Sequence, residues 1–294
     1  MSAVGFTARG NDRLRRRHAI NRLMEGLAWL AAAIAVFILG VVVWSVARRG
    51  AGQLNLDLIT KAPVPFLPVK QGLANAFAGT LVIVGIATLM SLPVGILVAI
   101  YLNEFARPSV RSAVSLALDV LNGIPAIVIG VFVYGLFVIG HGQSALAGSF
   151  ALACLMLPLV ARATMEVLAL VPSSLREASL GLGIPRWRTT LSIVVPQTIG
   201  GIVTGTTLAI ARVAGETAPL LFTSSIVGNQ VEWNPHHALQ TIPVAIFELS
   251  ESPSPDDHAR AWAAALVLLL FILFASLSAR WLATRTRRKL GGAR

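Results

Sequence analysis

Six separate stretches of this chain are long and apolar enough to cross a lipid bilayer, and no other feature restricts its fold as much. A membrane-crossing helix needs about 20 mainly apolar residues, because hydrocarbon supplies no water to an exposed backbone. Such stretches fall at about 27–47, 79–101, 119–140, 148–170, 193–215 and 262–284. The expected fold is therefore all-α, a polytopic membrane protein with six transmembrane helices. A hydrophobic share of 55% and a mean hydropathy of +0.75 agree, both well above a soluble domain. The first stretch, LAWLAAAIAVFILGVVVWSVA, follows NDRLRRRH and ends in SVA, as a cleaved signal peptide does. It is longer than the roughly 7–15-residue apolar core of a signal, so an uncleaved span is expected.

The net charge of +11 does not read as nucleic-acid binding. That needs basic residues gathered on one surface with aromatics or a recognition helix among them, whereas here they sit in short clusters between apolar runs. Of 24 Lys and Arg, 17 fall in segments on the N-terminal side of the membrane. Five fall on the other side (Arg48, Arg49, Lys61, Lys70 and Arg260), and Arg162 and Arg212 lie within spans. The positive-inside rule then places both termini in the cytoplasm. Basic tails at 1–26 and 285–294 flank a transmembrane domain at 27–284.

The remaining landmarks are modest. Segment 48–76, with Pro63, Pro65 and Pro68, reads as an outer loop, and so does 224–261, whose ESPSPDDHAR is polar enough to be solvated. His236, His237 and His258 in that loop match no metal-ligand spacing, so no metal site is expected. The lone Cys154 reads as a small hydrophobe. Pro93, Pro125, Pro158 and Pro196 should kink or break their helices, and GIVTG (201–205) has the small-residue spacing that lets helices pack closely. Glu25 and Glu104 read as interfacial, with no special role. No HExxH, GxSxG or paired-carboxylate motif is present, so no catalytic residues are expected.

The loop at 171–192 is too structured for a linker. Ser174 and Glu177 form a capping-box pattern after Pro172, which predicts a short helix from about 175 that stops near Gly181 and Gly183. Pro185 suits the first turn of a second helix, with Trp187 between Arg186 and Arg188 at the membrane surface. On physical grounds alone, an ordinary interfacial hairpin remains open.

Glu177-Ala178-Ser179, Gly183, Ile193 and Val195-Pro196 match the spacing of the EAA motif of ABC importer permeases, with Ser and Val replacing Ala and Leu. SLPVGILVAIYLNEFAR, GIPAIVIG, IARVAGETAPLLFT and TIPVAIFELS further resemble the PstA-type permeases of phosphate importers. The resemblance runs over most of the chain from the second span onward. It implies a type I importer permease forming half of a translocation path for inorganic phosphate. The partners it implies are a cytoplasmic ABC ATPase homodimer, a second related permease and an extracytoplasmic phosphate-binding protein. The ATPase would be gripped through Arg176, Glu177, Ala178, Gly183 and Trp187. The chain itself has no G-x-x-x-x-G-K-[ST] phosphate loop, so ATP hydrolysis belongs to another chain, and no cofactor is expected.

Two pairs of charges sit inside the apolar runs: Arg162 with Glu166, and Arg212 with Glu216, each four residues apart. An arginine at a helix centre costs about 2.5–3.5 kcal/mol on insertion scales, so such residues are functional candidates by default. On a helix each pair would face one side and line a polar seam; the bland alternative is mutual neutralisation. A guanidinium fork suits phosphate oxygens, and a carboxylate can accept the phosphate O–H that sulfate lacks. Asp119 and Asn122 are weaker candidates. Other readings are a permease for sulfate or molybdate and an ion-coupled secondary transporter. The latter leaves the EAA loop unexplained and predicts inverted repeats, which are not seen. The run from 193 to 228 is too long for one span, so Gly215 and Pro219 are expected to break it.

Overall fold

The computed structural model describes residues 9–63, 72–225 and 230–291, and every regular element among them is helical. Pro65, Pro68 and Lys70 of the expected outer loop, and Arg294 of the C-terminal tail, lie outside the described residues. The chain divides into two units, 1–49 and 50–294. The first is built on α1 (Arg9–Gly50), which includes the first expected span and continues into the segment expected as a tail. Its Trp29, Phe37, Leu39 and Trp44 are exposed.

The second unit is a helical bundle. After the short α2 (Leu56–Thr60) come α3 (Ala74–Ile100), which runs into a π turn at Tyr101–Phe105, α4 (Pro108–Gly123) and α5 (Ala126–Val133). They are followed by α6 (Ala145–Ala169), α7 (Ser173–Gly181), α8 (Arg186–Thr189) and α9 (Val195–Val213). The unit closes with α10 (Ala218–Thr223), α11 (Ile242–Glu251) and α12 (Pro255–Gly291). Five helical segments are long and apolar enough to cross a membrane, and the α4–α5 pair would make a sixth.

That span, expected at 119–140 with a kink or break at Pro125, is broken there: α4 and α5 meet at 94°. The cause is Pro125, which supplies no N–H and holds Ile124 extended. Pro93 and Pro158, expected to kink or break their helices, lie inside α3 and α6 without ending either. The surface helix expected around Trp187 is instead the start of the fifth span: α8 continues through a π turn at Thr190–Val194 into α9. The apolar run from 193 does break where expected. Residues 214–217 turn, and α10 packs on α5 and α6. The loop at 224–261 is not simply solvated, since α11 packs on α12 and α3 and buries Ile242, Val244 and Ala245.

The core lies between α3, α6 and α9. Leu152, Met156 and Val160 of α6 are fully buried against Ile83, Ala87 and Val213. Helices α3 and α6 run parallel, since Gly95 meets Val160 and Ile83 meets Gly148. Helix α9 runs antiparallel to α6, with Gly201 against Val167 and Gly205 against Ala163. A Cβ on Gly201 would lie 2.4 Å from Val167 Cγ1, so only glycine permits this approach. Several hydroxyls within these helices are satisfied locally: Thr88 donates to the Val84 carbonyl and Ser149 to that of Ala145, each at 2.7 Å. The buried Ser91 and Thr206 hydroxyls, by contrast, have no hydrogen-bond partner among the described residues.

Candidate functional site: an elbow and a row of arginines

At one end of the bundle, α7 and α8 form an elbow. Helix α7 begins at Ser173, earlier than predicted, and no side chain caps it, so the expected Ser174–Glu177 capping box does not form. Its end agrees with the sequence: Gly183 has φ +77°, which a β-carbon would strain. The two limbs are tied by a buried hydrogen bond of 2.8 Å between the hydroxyls of Ser179 and Thr189. Ser179 is one of the two residues that depart from the EAA motif, and here it supplies the tie.

The elbow has an outward face and an inward face. Glu177, Ala178, Gly183 and Trp187 are exposed, as are Leu180 and Leu182. Arg176, grouped with them from sequence, points the other way. Its Nε and Nη2 donate to the Glu104 carboxylate at 2.7–3.2 Å. Its Nη1 donates to the Val171 carbonyl at 2.6 Å, and its Nη2 to that of Leu168 at 3.0 Å. Glu104, read from sequence as having no special role, is 8% exposed in its side chain. No local signal could have found it, because its partner lies 72 residues away. Beside this pair, Asn103, Arg111, Arg176, Glu177, Arg186 and Thr190 line a polar cleft of about 490 Å³.

The intramembrane charges are arranged differently from the expected same-helix pairs. Arg162 on α6 is paired with Asp119 on α4, not with Glu166. It also donates to the Ser115 carbonyl at 2.7 Å, while its Nε is buried without a hydrogen-bond partner. Glu166 is exposed and forms no ion pair among the described residues. The bend after α4 brings Asp119 alongside α6, which no same-helix spacing rule could foresee. Arg212 and Glu216 do not share a helix face either, because α9 ends at Val213 and Glu216 falls in the following turn. Arg212 is exposed, Glu216 is partly exposed, and neither forms an ion pair among the described residues. From the antiparallel register of α6 and α9, Arg212 lies about six residues, or roughly 9 Å, beyond the level of Arg162. The two arginines therefore stand at different depths along the bundle.

Residues 91–288 match the family described as "Binding-protein-dependent transport system inner membrane component". The phosphate transport system permease protein PstA of Haemophilus influenzae is 40% identical over 274 residues, covering 92% of this chain and 96% of its own. The chain belongs to the PstA family. A probable PstA from the archaeon Methanocaldococcus jannaschii is 34% identical over 266 residues, covering 87% of this chain and 93% of its own. PstA-family membership makes the chain a multi-pass inner-membrane permease whose ATPase is a separate subunit. Among solved structures, a bacterial ABC transporter involved in alginate import superposes with a TM-score of 0.61 at 18% identity, over 90% of this chain and 98% of that one. The MetNI methionine transporter superposes at 0.57 and 17% identity, over 73% of this chain and 94% of that one. Both share the fold.

At the end opposite the elbow, this PstA-family chain carries two contrasting glutamates. Glu232 accepts from the backbone of Asn234 at 2.9 Å and Trp233 at 3.0 Å, and pairs with His237. The Asn234 N–H, then His237, hold its carboxyl below the usual range. Glu248 on α11 accepts from Gln240, whose Oε1 in turn accepts from Asn75 at 2.9 Å. Burial pushes the Glu248 carboxyl up, against a smaller opposing effect of the Gln240 hydrogen bond.

Proposed function

We infer that this chain is the permease of an ATP-driven importer of inorganic phosphate, forming half of the path across the inner membrane. The observation that carries this is Arg212 of a PstA-family chain: a guanidinium exposed on a membrane helix with no ion-pair partner among the described residues. Facing lipid, it would cost about 2.5–3.5 kcal/mol. Facing a path completed by a second, related permease, it meets an anion instead. Its fork binds phosphate oxygens, and Glu216 in the adjoining turn accepts the phosphate O–H. Arg162 and Glu166 serve the same anion at a second depth.

The distribution of positive charge along the sequence supports a cytoplasmic elbow and cytoplasmic termini. There Glu177, Ala178, Leu182 and Trp187 present a mixed polar and apolar face to an ABC ATPase dimer. At the opposite end a phosphate-binding protein delivers the anion.

Co-expression of the tagged chain with a candidate partner permease and ATPase, followed by reconstitution in liposomes, tests the reading. An ATPase that co-purifies, with ATP-dependent phosphate uptake that excess sulfate leaves unchanged, is the expected outcome. Uptake suppressed equally by sulfate or molybdate would replace phosphate as the substrate, and uptake without an ATPase would overturn the reading.

A further inference from the structure

We propose that Glu104 and Arg176 form a positioning clamp that transmits movement of the elbow to α3 and α6. The proposal rests on the reading of the elbow as the ATPase-docking face.

The geometry separates this pair from an ordinary surface ion pair. Glu104 is 8% exposed and Arg176 is 23% exposed in their side chains. Burial at this level leaves charges dependent on each other, and removing one partner strands the other. Arg176 uses its planar fork on both carboxylate oxygens and spends its remaining donors on the Leu168 and Val171 carbonyls. Leu168 lies in the last turn of α6 and Val171 just past its end, where helix geometry leaves acceptors unsatisfied and a cation is favoured. One side chain of α7 therefore holds the ends of two core helices.

The supports of the clamp are equally specific. The π turn at Tyr101–Phe105 inserts one residue into the register of α3. Leu102 thereby enters the core, 1% exposed and packed with Leu118, Met165, Leu168 and Val194, while Glu104 reaches α7. Asn103 donates to Glu104 Oε1 at 2.9 Å and orients it. The Ser179–Thr189 bond ties α7 also to α8, the start of the fifth span. Displacement of α7 cannot then be absorbed as local slack, because its links run to α3, α6 and α9. Glu177 and Trp187 would grip the motor, and Arg176 would pass its stroke inward.

The test is the number of ATP molecules hydrolysed per phosphate imported by the reconstituted complex with its binding protein. Glu104→Gln and Arg176→Lys should still assemble with the ATPase and hydrolyse ATP. Each should raise the ratio roughly tenfold, the scale of one lost charge-assisted contact. The double variant should be no worse than the worse single one, because both remove one interaction. A ratio unchanged from wild type in assembled variants, or uptake and hydrolysis falling in parallel, would overturn the clamp, as would failure of every variant to assemble. Wild-type complex that imports no phosphate, or binds no ATPase, would instead strike the underlying functional reading.

Discussion

Arg176 and Arg212 are the same residue type put to opposite uses, one at the elbow and the other about midway along the bundle. Arg176 is largely buried and bonded to a carboxylate and two carbonyls of its own chain. Arg212 is exposed at the end of α9 with no ion pair among the described residues. The first is complete within one polypeptide, so its function is mechanical. The second has no such partner among the described residues, in keeping with the proposal that an anion meets it. Exposure in the isolated chain therefore separates the two roles better than charge or position within an apolar run does.

The largest effects are expected at Arg212. Arg212→Lys keeps the charge but loses the fork, and should lower phosphate uptake about 100-fold if two charge-assisted bonds to the anion are lost. The ATPase should still co-purify. Glu216→Gln should spare assembly and lower phosphate uptake more than that of any fully ionised competitor. Full transport in both variants would erase the distinction drawn between the two arginines.

A second prediction strikes the seam that runs between the two. Gly201→Leu would drive a side chain into Val167, whose Cγ1 lies 2.4 Å from an ideal Cβ. Overpacking of this kind costs about 1–3 kcal/mol. Thermal unfolding in detergent should move to lower temperature, and import should fall without a change in ATPase retention. If the variant melts like wild type, α6 and α9 are not in the close contact described.

Much of this architecture was legible in the sequence. Apolar run length pointed to the all-helical membrane fold, Gly183 to the elbow's turn, and the 201–205 glycines to a close helix contact, though not to α6 as its partner. What remained hidden is non-local. A same-helix rule paired Arg162 with Glu166, but the 94° bend at Pro125 brings Asp119 to it from another helix. Glu104 carries no sign in its own segment that Arg176 will reach it. Within the outer loop, the helical segment IPVAIFELSE (242–251) is masked in the sequence by its polar surroundings. Local pattern dictates elements, whereas satisfaction of buried charge depends on how elements meet.

Ser179→Ala sharpens the elbow side of the comparison. It leaves the buried Thr189 hydroxyl without its 2.8 Å partner, although Thr189 retains a 3.4 Å contact to the Pro185 carbonyl. The expected cost is about 1 kcal/mol, measured as lower thermal stability. Coupling between hydrolysis and import should weaken only slightly, since the Glu104–Arg176 clamp remains. Uncoupling as large as that from Glu104→Gln would shift the main link from α3 and α6 to the fifth span.

The smallest effects belong to the far end, where two glutamates respond to pH with opposite sign. Burial raises the folded-state carboxyl of Glu248, so its contribution is complete below the unfolded carboxylate range and fades as pH rises through the raised value. The carboxyl of Glu232 is lowered by the Asn234 N–H and by His237. Its contribution is present above the unfolded range and fades as pH falls through the lowered value. Hydrogen exchange, corrected for intrinsic rate, should then show α11 loosening toward alkaline pH and the 232–237 turn loosening in acid. Glu248 is only partly buried, so solvent screening limits its share to a few tenths of a kcal/mol. Glu248→Gln retains an acceptor for Gln240 and should flatten the alkaline limb while leaving the acid limb intact. An alkaline limb that persists in that variant would place the titrating group elsewhere.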